Sequence, residues 1–160
     1  MPNDQFKRRL FKIISRVALA SYGRFPVFGP LRASIGILRN DGRYLAIDRS
    51  DGRGYSLPGG LAFLGEEDEA VLRREIAEET GLSVVSAKLV LRYFSHVEIP
   101  CHVAVFDVEA KGTLRGSWEG SPVWATFAEL QERILLSQRR VTEALLVNPA
   151  MVGESNTQPT

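Results

Sequence analysis

The sequence concentrates carboxylates between two glycine-containing turns. Seven acidic residues fall within the 23 positions from Gly60 to Leu82. With about 100° of rotation per residue on a helix, Glu75, Glu78 and Glu79 share one strip that is about 100° wide. Like charges at these spacings repel one another on an isolated helix. A hard divalent cation would offset that repulsion, because Mg²⁺ binds carboxylate oxygens and keeps its other positions for water and phosphate.

The neighbouring residues indicate how this strip is positioned. Leu72 and Ile76 form an apolar strip beside the carboxylates, which predicts a helix from Glu67 to Thr80 packed against a sheet. Gly81 follows at the usual left-handed capping position. Charge alone favours a solvated helix surface. The adjoining apolar strip and the glycine turns make a binding site an equally good interpretation.

The same residues match a pattern of fixed spacing. Gly60 is followed after five residues by Glu66, and after seven more by the run Arg74-Glu75-Ile76-Ala77-Glu78-Glu79-Thr80-Gly81-Leu82. This pattern resembles the Nudix box of the Nudix hydrolase family at every defined position. Residues 57–60, Leu-Pro-Gly-Gly, resemble the family's usual segment before the box. With Trp124 and the following Glu129-Leu130, the resemblance covers about residues 33–147.

The resemblance implies an α+β fold, an α/β/α sandwich built on a mixed sheet. It also implies hydrolysis of the pyrophosphate bond in a nucleoside diphosphate linked to another group. Glu75, Glu78 and Glu79 would bind Mg²⁺ or Mn²⁺, and Gly60 would bring its backbone near the metal. Such an ion neutralises the pyrophosphate and lowers the pKa of the attacking water.

The family pattern also suggests which residue accepts the proton of that water. Glu79 or Glu78 is the first candidate for a general base within the box. Members of the family also use a base from outside the box, so Glu98 and Glu119 remain open.

Two further positions of the box would act on its conformation. Glu66 and Arg74 would orient the loop and helix through salt bridges. Many members of the family carry an acidic residue at the position of Phe63, where this chain is apolar. This departure leaves the number of metal ions open.

Candidates for substrate binding lie outside the box. Trp118, in the loop-like stretch 115–120, is the best candidate for stacking on a base, and Tyr55 and Glu98 are further candidates. The substrates to consider are nucleoside triphosphates and nucleotide sugars such as ADP-ribose. No patch of basic and aromatic residues marks a nucleic-acid partner. The alternative function is that of a non-catalytic nucleotide-binding sensor or partner module.

Hydrophobic periodicity and turn residues predict the remaining elements. Asn40-Asp41-Gly42 between two alternating apolar segments predicts a β-hairpin over residues 34–48. Strands are predicted at 82–94, 102–109, 113–118 and 123–127, and helices at 129–135 and 138–146.

Length and composition place the chain among ordinary globular proteins. With 160 residues and a net charge of +1, it is expected to form one main domain with no global attraction to nucleic acid. The one cysteine, Cys101, excludes an intrachain disulfide, and its apolar neighbours predict a buried strand position. A reducing, cytoplasmic location is expected. No apolar run is long enough to cross a bilayer.

The ends of the chain differ from the predicted domain at residues 31–148. Residues 1–30 carry six basic residues and one acidic residue, a net charge of +5. Apolar residues recur there at helical spacing, which predicts an amphipathic arm. The pattern leaves three roles open: packing on the domain or on a second subunit of a homodimer, peripheral contact with an anionic membrane, and an organellar presequence. Residues 149–160 are expected to form a flexible tail.

Overall fold

The computed structural model describes residues 30–153, which form a mixed sheet with helices. The strands are β1 (Leu31–Asn40), β2 (Arg43–Arg49), β3 (Tyr55–Ser56), β4 (Gly59–Leu61), β5 (Ser83–Ser95), β6 (Cys101–Lys111) and β7 (Gly120–Ala125). The helices are α1 (Asp68–Thr80), α2 (Phe127–Arg133) and α3 (Arg139–Val147), and short 3₁₀ turns lie at Leu136–Gln138 and Pro149–Met151. The predicted hairpin, central helix and two long strands are confirmed.

The sheet is mixed because a single strand pair within the described residues is parallel. The strands follow the order β3-β2-β1-β6-β5, and β4 and β7 pair additionally with β1 and β2. β1 runs parallel to β6, from Leu31 beside Cys101 to Leu38 beside Val108. The other pairs are antiparallel. β6 pairs along one edge of β1, and β4 and β2 pair in turn along the other edge, so that β1 joins the two halves of the sheet.

The hairpin between β1 and β2 forms where the sequence predicted it. Asn40 lies opposite Arg43, so the connection has only two residues. Both of these residues have positive φ, 48° at Asp41 and 72° at Gly42. This is the conformation that two-residue hairpin turns require, and aspartate and glycine tolerate it well.

Helices cover both faces of the sheet, as the α+β prediction required. Along β1, successive side chains point to opposite faces. Burial of each large apolar side chain contributes about 1.5–3 kcal/mol. On one face, α1 packs through Leu72 and Ile76 against a cluster that includes Leu38, Leu45, Leu82, Phe106 and Val108. On the other face, a cluster joins Leu130, Val141 and Leu145 of α2 and α3 to Ile35, Ile37, Val103 and Val105.

Helix α1 has termini that fit its sequence. Asp68 and Glu69 occupy the first turn, where the helix dipole favours negative charge. Gly81 ends the helix with φ of 75°, and its N–H donates to the Ala77 carbonyl at 3.0 Å. The left-handed cap that the sequence predicted is therefore confirmed, and it fixes the end of the helix that carries Glu79.

Two of the predicted elements are wrong. Residues 113–118 form a loop, because the Arg115 N–H donates to the Thr80 carbonyl at the end of α1 instead of joining a sheet. Residues 149–153 are packed and do not belong to a flexible tail. Val152 is buried, and the Gly153 N–H donates to Asp107 at 2.8 Å. The packed domain therefore extends beyond the predicted boundary at residue 148.

Some predictions lie outside the described residues. The amphipathic arm falls almost entirely within residues 1–29, and the end of the predicted tail falls within residues 154–160. Within residues 30–153, no helix is both long and apolar enough to span a bilayer.

Gly36 sets how closely α1 approaches β1, so Gly36→Ala should destabilise the domain. A Cβ at this position would lie 3.0 Å from Ile76 Cδ1 and 3.2 Å from Leu72 Cδ1. We expect the free energy of unfolding in urea to fall by about 1–3 kcal/mol, as in other overpacked cores. Gly153→Ala is the matched control, because its Cβ would meet only Asp107, at 3.6 Å. Equal stability of the two variants would contradict the close packing described here.

Candidate active site

Two consecutive glycines bring the backbone against the carboxylates of α1. Gly60 pairs with Ser34 of β1, and a Cβ on Gly60 would lie only 2.4 Å from the Glu75 carboxyl group. Gly59 has φ of 148°, and its N–H donates to Glu79 Oε2 at 2.8 Å. Only glycine leaves room for this approach. The two glycines therefore hold Glu75 and Glu79 at the end of β4.

Arg74 joins the loop before α1 to the helix itself. Its guanidinium donates Nε and Nη2 to the two carboxylate oxygens of Glu66, at 3.0 and 2.9 Å. Nη1 contacts Glu75 at 2.6 Å, and Nη2 also donates to the Leu61 carbonyl at 3.1 Å. Such bidentate charged contacts are strong and directional. Hydrogen bonding to Arg74 lowers the pKa of Glu66, which therefore stays ionised at neutral pH.

Phe63 covers the guanidinium group of Arg74. Its ring centroid lies 4.3 Å from the Arg74 Cζ, within cation–π distance. The Phe63 N–H also donates to Glu66 Oε2 at 2.9 Å. The apolar residue at this position thus supports the Arg74–Glu66 pair from the solvent side.

Glu79 is the buried carboxyl group of the site, with 4% of its surface exposed. Burial raises its pKa far above the usual carboxyl range, because the charged form loses its hydration. The hydrogen bond from Gly59 acts in the opposite direction, whereas the nearby Glu119 and Glu75 raise the pKa further. Burial also raises the pKa of Glu75 despite its contact with Arg74. Without a bound cation, both carboxyl groups therefore hold a proton more readily than an exposed carboxyl group does.

The donor chemistry of these residues fits a hard divalent cation. Carboxylate oxygens and backbone carbonyls are the ligands that Mg²⁺ and Mn²⁺ prefer. Within residues 30–153, however, no three acidic, histidine or cysteine side chains are arranged so that they could hold a metal ion. Arg74 contacts Glu75 instead, and the Glu78 side chain is 63% exposed and lies 3.8 Å from Arg74. Binding a cation would require Glu75 and Glu78 to turn from Arg74.

An open cleft of about 600 Å³ lies beside these carboxylates. Ala33 and Ile35 of β1 and Val103 of β6 contribute to its apolar lining. Its polar lining combines both signs of charge: Arg49, Asp51, Arg53, Arg74, Glu75, Glu78, Glu98 and Glu119. The volume is in the range of clefts that bind small molecules.

The predicted substrate-binding residues have different locations. Trp118 is 42% exposed and lines the cleft. Glu98 also lines the cleft, where its carboxylate accepts a hydrogen bond from Arg53 at 2.5 Å. Tyr55 is buried in the core, with the Arg133 guanidinium 3.9 Å above its ring. Tyr55 therefore cannot stack on a ligand, and its proposed role in substrate binding is withdrawn.

The sequence did not single out Arg49 at the end of β2 or the charged residues of the loop that follows it. Arg49 makes a bidentate contact with Asp51, at 2.7 Å for the shortest pair of atoms. The pKa of Arg49 is raised, because its contacts with Asp51 and the fields of Glu119 and Glu79 outweigh partial burial. Arg49 thus faces the carboxylate cluster. The alternation of Arg, Asp and Arg in residues 49–53 is the feature of the sequence that could have indicated them.

Comparisons with known proteins agree with this arrangement. A family model described as the NUDIX domain matches residues 30–145. A "MutT-like protein" from Streptomyces ambofaciens is 35% identical over 99 residues, which cover 61% of this chain and 64% of that protein. The chain therefore spans a little less than two thirds of the length of this curated relative.

Solved structures show the same fold at lower identity. The E. coli ORF135 protein matches with a TM-score of 0.68 and 22% identity, covering 82% of this chain and 99% of that one. The MutT protein from Methanosarcina mazei Go1 matches with a TM-score of 0.63 and 23% identity, covering 75% and 96%. These likenesses concern the mixed sheet and its helices.

Burial of Glu79 predicts a pH-dependent stability that Glu79→Gln removes. A carboxyl group whose pKa is raised on folding contributes stability that is present below its unfolded pKa and is lost as pH rises through its folded pKa. With chelator present, the free energy of unfolding should fall between about pH 5 and about pH 9, where the folded pKa of Glu79 lies. The glutamine variant should show a shallower slope and exceed the wild type at the upper end.

Urea denaturation at a series of pH values measures this slope. Glu69→Gln is the matched control, because Glu69 lies on the same helix with a side chain that is 49% exposed. It should keep the wild-type slope. An unchanged slope in the Glu79→Gln variant would contradict the buried, charge-crowded setting of Glu79.

Proposed function

The chain belongs to the NUDIX family of pyrophosphohydrolases, and we propose that it is a metal-dependent enzyme that cleaves a pyrophosphate bond in a nucleoside diphosphate linked to another group. The observation that carries the proposal is the setting of Glu79. This buried carboxyl group interacts with Gly59, Glu75 and Glu119, which all line one open cleft. Crowded carboxylates beside a cleft fit a site for a cation and a phosphate-containing ligand.

Glu75, Glu78 and Glu79 would hold Mg²⁺ or Mn²⁺, with the Gly60 backbone beside them. When bound, the ion would neutralise pyrophosphate charge and lower the pKa of the attacking water. It would also offset the burial and the neighbouring negative charges that raise the pKa values of Glu75 and Glu79. The carboxylate oxygens of these residues would supply the negative charge that a bound cation requires.

Glu66 and Arg74 would position this set of carboxylates rather than react. Their bidentate contact joins the loop at Phe63 to the middle of α1. Arg74 also holds Glu75 by a hydrogen bond of 2.6 Å. A rotation of Glu75 toward a cation would still leave Arg74 anchored by Glu66 and by the Leu61 carbonyl.

Glu119 is our choice for the general base. Glu79 is held by Gly59 and shielded from solvent, which suits a ligand better than a group that exchanges protons. Glu119 lines the cleft and lies within hydrogen-bonding range of Glu79. Glu98 instead contacts Arg53 in the loop between β5 and β6. A base must lie within reach of the proton that it takes, and Glu119 is the remaining carboxylate beside Glu79.

The substrate class within this proposal is nucleoside triphosphates or nucleotide sugars such as ADP-ribose. Trp118 lines the cleft and is the candidate for stacking on the base. A cytoplasmic location is part of the proposal and agrees with the single buried thiol of Cys101. Dimer formation and membrane contact through residues 1–30 stay predictions. Deleting these residues and measuring oligomer size and liposome binding would separate the two.

The principal experiment is a substrate panel with Mg²⁺ or Mn²⁺, with and without chelator. We expect chelator-sensitive cleavage of one substrate class, with products that identify the broken phosphoanhydride bond. Glu79→Gln should reduce turnover at least ~100-fold, because it removes one charged ligand at nearly constant shape. Glu69→Gln, the exposed residue on the same helix, should retain wild-type turnover.

The panel also tests the alternative function. Nucleotide binding without cleavage of any compound would favour a non-catalytic sensor module. Wild-type turnover in the Glu79→Gln variant would show that Glu79 holds no essential metal.

Glu119→Gln tests the assignment of the base. We expect kcat to fall by about 100-fold or more while KM changes little, because proton acceptance contributes about 10²–10⁴-fold to rate. Glu132→Gln, on the exposed side of α2, is the control. A large loss of kcat in Glu98→Gln with a small loss in Glu119→Gln would contradict the assignment and make Glu98 the base.

A further inference from the structure

Three arginine side chains from the described part of the chain line the cleft, and they differ in how firmly they are held. Arg74 contacts Glu66, Glu75, the Leu61 carbonyl and the face of Phe63. Arg49 is half-buried and makes three short contacts with the Asp51 carboxylate. Both arginines are thus fixed in the wall of the cleft.

Arg53 is held by a mostly buried carboxylate at one end and contacts an exposed carboxylate at the other. Its N–H and Nε both donate to Asp51, at 3.1 and 2.9 Å. Its Nη1 donates to Glu98, at 2.5 Å. The Arg53 side chain is 40% exposed and that of Glu98 is 52% exposed, whereas that of Asp51 is only 14% exposed. Asp51 therefore orients Arg53, and Glu98 is the partner in contact with solvent.

The contact between Arg53 and Glu98 joins two loops that border the cleft. Arg53 lies between β2 and β3, and Glu98 lies between β5 and β6. Glu98 has φ of 65°, a left-handed conformation that few residues other than glycine adopt. The backbone of the second loop is thus held in a less favourable conformation at the residue that contacts Arg53.

We propose that Arg53 binds a phosphate group of the substrate and that Glu98 occupies this position as an internal anion until the substrate replaces it. The inference rests on the proposed function for the identity of the substrate, a nucleoside diphosphate derivative. An exposed ion pair contributes only about 0–1 kcal/mol, so its exchange costs little. Two phosphate oxygens can accept hydrogen bonds from both terminal nitrogens of an arginine. This bidentate contact is stronger than the single hydrogen bond between Arg53 and Glu98.

Displacement of Glu98 by phosphate and simple electrostatic attraction predict different effects of substitutions at these two residues. Removing the charge of Glu98 should tighten phosphate binding, because Arg53 is then available without exchange. Removing Arg53 should weaken binding. In the absence of Arg53, the charge of Glu98 should have little further effect, because its influence acts through Arg53.

Isothermal titration with α,β-methylene-ADP and Mg²⁺ tests the inference without requiring hydrolysis. We expect Glu98→Gln to lower Kd about threefold and Arg53→Gln to raise it by about threefold or more, as the size of exposed ion pairs suggests. The double variant should match Arg53→Gln within about 1.5-fold. Circular dichroism and thermal melting check that each variant is folded.

The exposed pair of Glu69 and Arg73 provides matched controls. These side chains are 49% and 44% exposed, close to the values for Glu98 and Arg53, and they do not line the cleft. Glu69→Gln and Arg73→Gln should leave Kd unchanged. A general effect of net charge would instead shift Kd in the controls as well.

The outcomes distinguish this inference from the proposed function. An unchanged or higher Kd in Glu98→Gln, or tightening that persists without Arg53, overturns the inference even if the wild type cleaves its substrate. The expected pattern of Kd values with no cleavage in the substrate panel supports the inference and overturns the hydrolase. Absence of wild-type binding to the analogue overturns the inference, and the substrate panel then decides the hydrolase separately.

Discussion

Close contact between α1 and the β1–β4 part of the sheet is the constraint on which the rest of the structure depends. Glu75 and Glu79 lie against consecutive glycines, where a single added carbon would meet the Glu75 carboxyl group at 2.4 Å. Gly36 of β1 also allows a close approach, because an added Cβ there would lie 3.0 Å from Ile76 of α1. This packing removes Glu79 from water and thereby gives its carboxyl group an unusual affinity for protons. The close glycine contacts, the burial of Glu79 and its raised pKa thus all result from this packing.

Charge is organised around this buried group in layers. Glu79 lies innermost, Glu75 and Glu119 lie beside the cleft, and Arg49 and Arg74 flank them in the wall. Carboxylates hold each of these arginines in turn, so their guanidinium planes are fixed before any ligand arrives. Fixed dipoles and charges of this kind reduce the rearrangement that a bound transition state would require. The charged side chains in the wall are therefore held in place, although the cleft is open to solvent.

Local pattern predicted what depends on local interactions. The two-residue turn at Asp41, the cap at Gly81 and the apolar strip of α1 could each be inferred from a few neighbouring residues. Contacts between residues that are far apart in the sequence could not be inferred in this way. The segment 113–118 has strand-like composition, but Arg115 hydrogen-bonds to the end of α1. Tyr55 was a candidate for substrate binding because an aromatic ring can stack on a base, whereas it lies buried in a two-residue strand. The contact of Arg53 with Glu98 joins residues 45 positions apart, a separation that no periodicity encodes.

The packed segment after α3 changes where the domain ends. Family similarity stops at residue 145, but Val152 belongs to the same apolar cluster as Val103 and Leu145. The Gly153 amide also supplies a partner for Asp107, which lies beside Arg39 in a half-buried ion pair. A chain truncated at the limit of family similarity would uncover apolar surface and leave a carboxylate without its amide donor. Domain limits drawn from homology alone would therefore yield a less soluble and less stable fragment.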